Sequence, residues 1–267
     1  MKKLFWITKS NEEIIFKIFS LFLSVLSIIN YIDKAISWPI RLCFLVLALL
    51  IITLLVVLYS NFKSKVNIKL NNGKKITVSW GSIFNSKGII IIPANSSFDT
   101  TVDNKIVSAD SLHGKFIKKY FYNSVDELYN KIIKDLDEQK IQFSQLKNNK
   151  RKYSLGNVAR IPVGEDTFLL LALTDFDEHN SASCSSYNYG TIICNLLNFL
   201  NNYYKDKEVY IPLIGGGLAR LNKSPQQLLE YLLSILLFND DLLPDKINVI
   251  ISPKYKGDII LQKVRKF

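Results

Sequence analysis

Two long apolar runs open the chain. From Ile14 to Ile32 every residue is apolar or small and polar apart from Lys17 and Asn30, and from Leu42 to Tyr59 there is no charge at all. At about 1.5 Å of rise per residue each run is long enough for a hydrocarbon core, and neither shows the polar face of a surface helix. Asp33 to Arg41 connects them and contains Trp38-Pro39. The pattern predicts an antiparallel hairpin of two transmembrane helices, spans about 14–32 and 40–59, with Tyr31, Trp38 and Tyr59 at the interfaces. The late start, the second run and the lack of a small-residue cleavage site argue against a signal peptide. A buried hairpin of a soluble helical domain is the other reading. Lys2, Lys3, Lys9 and Lys17 precede the first run and Lys63 and Lys65 follow the second, against Lys34 and Arg41 between them. That bias puts both termini in the cytoplasm.

All eleven glycines lie at Gly73 or beyond, which sets a boundary near residue 64 and two regions, 1–63 and 64–267. The pattern then changes to short strands and amphipathic helices. "KVNIKLNNGKKITVSW" reads as two alternating strands around Asn72-Gly73, the signal of a type I′ hairpin. "GIIIIPAN", "FLLLALTDF", "EVYIPLIGGG" and "KINVIISPK" are unbroken apolar runs that suit a sheet covered on both faces. Helices are predicted over Leu112–Tyr122, Val125 to about Glu138 behind a capping box Ser124…Glu127, Tyr187–Tyr203, and Pro225–Phe238. Strands alternating with helices predict an α/β fold with three layers.

Charge and cysteines narrow the picture. The formal net charge of +11 admits a nucleic-acid binder, but the lysines are scattered and no nucleic-acid-reading motif accompanies them. Much of the excess flanks the apolar runs, where an anionic membrane surface is the simpler partner. Three cysteines and two histidines form neither a disulfide framework nor a metal-ligand spacing, so no metal is expected and the compartment is a reducing one. The basic run Lys147–Lys152 either touches lipid or solvates a loop.

In an open α/β sheet, ligands lie beyond the carboxyl ends of the strands. Three such ends carry unusual loops: Pro93 to Asp99, Thr174 to His179, and Gly215 to Arg220. In the last, Gly217 to Ser224 misses the phosphate-loop pattern G-x-x-x-x-G-K-[ST] by one residue, Asn222 standing in place of the second glycine. Ser224, Pro225 and Gln227 instead read as N-cap, first helical position and capping partner, which starts the helix too late for Lys223 to grip a triphosphate. Gly215, Gly216, Gly217, Leu218, Ala219 and Arg220 remain as an anion-binding turn with a forked cationic donor. A glycine turn without a ligand is the plainer alternative.

Together these loops resemble macro domains. "VSWGSIFNSKGIIIIPANSSF" is similar to their opening strand and first loop, and "IPLIGGGLARLNKSPQQLLEYL" to their second phosphate loop. The resemblance implies an ADP-ribose-type ligand. Asn95 would hold the ribose beside the pyrophosphate, Gly114 in "SLHGKFIKK" would open the helix whose N-terminus meets the phosphates, and Ile83 would line the adenine pocket. Ser82 replaces the usual adenine-reading Asp, Ile92 the first Asn of N-A-A-N, and the first glycine triplet is missing.

A membrane hairpin ahead of a divergent three-layer α/β/α macro domain resembles the effectors of type II Thoeris antiphage systems. That resemblance implies a receptor on the bacterial inner membrane with its macro domain in the cytoplasm. A partner TIR protein would make the signal, understood to be histidine-ADP-ribose, and binding would drive homo-oligomerisation, membrane disruption and death of the infected cell. No cofactor is implied, and a membrane-tethered ADP-ribosylhydrolase is the alternative. The added amino-acid group would need polar partners such as Asp99, Asp103, His113 or Asp175. Each also has a local reading: a helix-capping or satisfied core histidine, turn-shaping aspartates for Asp99 and Asp103, and, for Asp175 and Asp177, a solvated loop.

Overall fold

The computed structural model describes residues 65–104, 106–146, 150–176, 182–216 and 221–266, together with scattered positions between 16 and 51. The chain divides into two compact units, Met1–Ser64 and Lys65–Phe267. Both expected spans fall largely outside the described residues, and among those that are described no helix is long and apolar enough to cross a membrane. The described positions of this unit expose Phe16, Trp38, Phe44 and Leu50.

The second unit runs β1 (Lys65–Lys69), β2 (Lys75–Trp80), β3 (Ile89–Asn95), α1 (Leu112–Tyr120), α2 (Val125–Glu138), β4 (Phe143–Gln145), β5 (Arg151–Tyr153), β6 (Val158–Val163), β7 (Asp166–Phe176), β8 (Ala182–Ser183), α3 (Ser186–Tyr203), β9 (Glu208–Pro212), α4 (Pro225–Phe238) and β10 (Lys246–Ile251). The main sheet has the order β1-β2-β10-β9-β3-β7-β6, with β8 added to β7. The central strands β2, β10, β9, β3 and β7 are parallel to one another, while β1 and β6 close the edges antiparallel.

Alternation along the central strands builds two cores. In β3, Ile89 and Ile91 face the helices α3 and α4, whereas Ile90 and Ile92 face α1 and α2; in β7, Leu169, Leu171 and Leu173 take the first side and Phe168, Leu170 and Ala172 the second. Period-two pleating does this, and it explains why these strands read as continuous apolar runs. Full burial of one such Leu or Ile is worth about 1.5–3 kcal/mol.

Several local expectations need correction. The hairpin between β1 and β2 is not a two-residue type I′ turn: Gly73 has φ +82° while Asn72 stays at negative φ, and Gly73 N–H donates to the Leu70 carbonyl at 3.1 Å. One left-handed glycine after an ordinary turn gives a longer, bulged loop. The capping box before α2 does not form, because Ser124 at φ −142°, ψ 40° makes no side-chain cap. The one before α4 does, with Ser224 Oγ accepting from Gln227 N–H and Gln227 Oε1 accepting from Ser224 N–H. Helix α4 thus starts after Lys223-Ser224, as the proline at its first position favours.

Candidate functional site

A cleft of 430 Å³ opens where β2, β3, β7, β9 and β10 reach their carboxyl ends. Its size falls within the ~300–1,000 Å³ of small-molecule sites, and five strands meeting there make it the crevice expected of an open α/β sheet. Among the sequence-predicted residues, Ser82, Ile83, Asn95, His113 and Gly215 line it.

Asn95 ends β3 and is buried. Its Oδ1 accepts from the N–H groups of Ser97 at 3.2 Å and Asp99 at 3.1 Å, so the side chain caps its own turn and its Nδ2 is the group left for a ligand. Helix α1 brings its N-terminus to the cleft, where Ser111 Oγ accepts from Gly114 N–H at 2.9 Å. This cap satisfies the third amide and leaves those of the first turn, with the positive end of the helix dipole, toward an anion. Gly114 does not line the cleft. It is glycine because the backbone of Ser108 passes against it, an added Cβ lying 2.2 Å from the Ser108 carbonyl oxygen.

His113 follows the cap and is 4% exposed. Its Nε2 is buried with no hydrogen-bond partner, and burial lowers its pKa to about 4. The imidazole is therefore neutral at physiological pH. A buried orphaned nitrogen on a cleft wall is unusual enough to mark a place where a ligand or water completes the bond. The reading as a satisfied core histidine fits its burial but not its orphaned Nε2, and the capping reading does not hold, since Ser111 is the cap.

Gly215, at φ +87°, turns the chain after β9 in a conformation open to glycine. The Tyr255 hydroxyl donates to the Gly216 carbonyl, and the Tyr255 ring lines the cleft. Gly217, Leu218, Ala219 and Arg220 lie outside the described residues, as does Asp177. Replacing Tyr255 by Phe keeps the ring and frees the glycine turn. A ligand held by that turn should bind about three- to ten-fold more weakly to the variant in calorimetric titration, the range of one lost hydrogen bond.

The aspartates assigned to ligand recognition sit elsewhere. Asp103 Oδ1 accepts from Ile106 N–H at 2.8 Å and shapes its own loop. Asp99 pairs with Lys150, and Asp175 pairs with Lys152 at 2.5 Å while accepting from Ser96 Oγ at 3.1 Å. None of the three lines the cleft. The basic run read as lipid-touching or solvated is thus in part strand β5: Lys150, Arg151 and Lys152 pair with Asp99, Asp137 and Asp175, and residues 147–149 lie outside the described set.

Thr174, at the start of the second candidate loop, lines the cleft as well, and sequence reading missed Lys115, Asp110, Lys254 and Tyr255. Lys115 follows Gly114 on the exposed side of the first turn of α1, and Lys254 and Tyr255 come just after the apolar run of β10, so proximity to a strand end was the available signal. Cys184 is unsuited to nucleophilic chemistry, since burial raises its thiol to about 11. Among the described residues no three His, Cys, Asp or Glu converge as a metal site.

A mixed sheet between two helical layers, with a cleft at its parallel strand ends, is the macro-domain fold. The Oceanobacillus iheyensis macrodomain solved with ADP superposes with a TM-score of 0.53 at 11% identity, covering 76% of this chain and 96% of that one. A mutant of that macrodomain solved with ADPR gives 0.52 at 10% identity, covering 76% and 97%. More specifically, residues 76–252 match the family described as Thoeris protein ThsA, Macro domain, and the chain belongs to that family. The curated Thoeris protein ThsA of Bacillus amyloliquefaciens (strain Y2) is 34% identical over 161 residues, which are 58% of this chain and 53% of that protein. The chain therefore spans about half the length of that relative.

Proposed function

We propose that this protein is an antiphage-defence receptor whose macro domain binds an ADP-ribose-type nucleotide in the cleft. The observation that carries the reading is the juxtaposition, in one crevice, of Asn95, the N-terminus of α1 with the orphaned His113 Nε2, and the turn at Gly215. A diphosphate between the helix terminus and the glycine turn would meet backbone N–H groups on both sides, with Lys115 and Lys254 adding charge. The family to which the chain belongs supports the defence role, and the ADP- and ADPR-bound Oceanobacillus iheyensis structures support the ligand class.

The ligand is a signal to be held rather than a substrate. Asp99 and Asp175 are ion-paired with Lys150 and Lys152 outside the cleft and are not placed to act as acid or base there. The Gly217–Arg220 segment completes the phosphate grip, and histidine-ADP-ribose from a TIR synthase is the proposed physiological ligand. The apolar runs of the first unit form the membrane hairpin, and ligand binding drives their homo-oligomerisation and membrane disruption at the inner face of the bacterial membrane. Such coupling requires the ligand to bind the assembled state more tightly.

The experiment is titration of the full-length chain with ADP-ribose and with histidine-ADP-ribose, followed by mass spectrometry of the recovered ligand and measurement of particle mass. Binding, recovery of intact ligand and a larger assembly are expected. Asn95→Ala should weaken binding about ten-fold, the value of one well-placed buried hydrogen bond and its positioning. Steady hydrolysis without assembly would replace the receptor by a tethered ADP-ribosylhydrolase.

A further inference from the structure

We propose that Lys150 and Lys152, on the small hairpin β4–β5 outside the cleft, are positioning residues that set the cleft's ligand affinity by holding the rim formed by the loop after β3 and the end of β7. The inference rests on the proposed ADP-ribose reading for its affinity readout only.

Strand β5 and Lys150 just before it touch this rim at alternate residues. The Lys150 ammonium pairs with Asp99, whose side chain is 8% exposed, while Lys152 pairs with Asp175. The Tyr153 backbone N–H donates to the Ser96 carbonyl at 2.9 Å. These contacts converge on one turn. Asp99 N–H and Ser97 N–H both donate to Asn95 Oδ1, and Ser96 joins β7 twice, through its N–H to the Thr174 carbonyl at 2.8 Å and its hydroxyl to Asp175. Asn95 and Thr174 line the cleft; Lys150, Lys152, Asp99 and Asp175 do not. The lysines therefore reach a ligand only through Asn95 and Thr174.

The turn needs such support. Phe98 at its apex has φ +49°, a left-handed conformation unfavourable for a bulky residue. Its ring is fully buried and meets the Tyr153 ring edge-on at 5.7 Å, so the same strand also covers the strained residue. Arg151, between the two lysines in sequence, pairs instead with Asp137 of α2 at 2.6 Å. It ties the hairpin to the body of the domain, meets the rim only through Tyr153, and so serves as a control for a general effect on the hairpin.

The test compares ADP-ribose affinity of the full-length chain with that of Lys150→Met/Lys152→Met, of Lys150→Arg/Lys152→Arg, and of Arg151→Met. The methionine pair should bind about ten-fold more weakly, the arginine pair should recover most of the loss, and Arg151→Met should stay within about two-fold of the parent. Amide hydrogen exchange without ligand is the second readout: protection of Ser97 and Asp99 should fall in the methionine pair and persist in Arg151→Met. If the methionine pair proves too unstable, Lys150→Met/Asp99→Asn removes both charges of the buried pair and should show the same loss. Parental affinity together with unchanged protection in the methionine pair overturns the proposal, and so does an equal loss in Arg151→Met, which would mean a general effect on the hairpin. Should the parent not bind ADP-ribose, the functional reading fails, and exchange at Ser97 and Asp99 alone decides this one.

Discussion

Gly114→Ala should destabilise the macro domain by roughly 3 kcal/mol or more, although the position is helical and alanine is the better helix former. The gain from helix propensity is about 1 kcal/mol. Against it stands a backbone collision: the new Cβ would lie 2.2 Å from the Ser108 carbonyl oxygen, 3.0 Å from its carbon and 3.1 Å from the Ala109 Cα. Backbone cannot rotate away as a flexible side chain could. Displacing Ser108 would also disturb the bonds its carbonyl accepts from Ser111 N–H at 3.1 Å and Ser111 Oγ at 2.7 Å. Ser111 is the cap of α1, so overpacking at one methyl group spreads to the helix terminus facing the cleft. Thermal unfolding should show a lowered Tm, and ADP-ribose binding should weaken beyond what the stability change explains. A variant as stable as the parent would mean that the loop before α1 yields freely and that glycine is not required there.

The layered fold was legible because its cause is one-dimensional. Unbroken runs such as Ile89–Ile92 and Leu169–Leu171 have no polar face, which demands helices on both sides of the sheet, and the sheet supplies them. The glycine turn and the α1 terminus were legible for a similar reason, since cap and turn chemistry act over three or four residues. Strands β4 to β6 were not anticipated. Arg151–Tyr153 has no apolar alternation, and the charges of Lys150, Arg151 and Lys152 are matched by Asp99, Asp137 and Asp175 from distant segments. Long-range charge pairing leaves no local pattern, so in sequence the basic run has the look of a solvated or lipid-facing segment and the aspartates that of ligand groups. The same blindness explains Tyr255, which reaches the cleft only because β10 lies between β2 and β9. The apolar runs before residue 64 are legible as sequence alone, and their proposed role rests there.

Acidification should weaken the folded domain through His113, and the sign follows from its burial. In the unfolded chain the imidazole titrates near its ordinary value of 6.5, whereas in the folded domain desolvation of the cation lowers that to about 4. Between those values the unfolded state binds the extra proton. Stability from this group is thus fully present above pH 6.5, declines as the pH falls toward 4, and changes no further below it. The whole interval corresponds to about 3 kcal/mol, of which about 2 kcal/mol is lost between pH 7 and pH 5. Other groups titrate in that range, so the informative quantity is the difference between parent and His113→Gln, whose neutral amide carries no such linkage. The variant should show a flatter decline of unfolding free energy in urea between pH 7 and pH 5, by about that amount. With two histidines in the chain, NMR titration offers a direct check. The imidazole signal missing from His113→Gln should move only near pH 4 in the parent, and a midpoint near 6.5 would show that water already reaches Nε2. A bound diphosphate beside the ring would favour the imidazolium and raise that midpoint. Saturating ADP-ribose should therefore shift the same signal upward, which links the orphaned nitrogen to the ligand more directly than loss of binding in any variant.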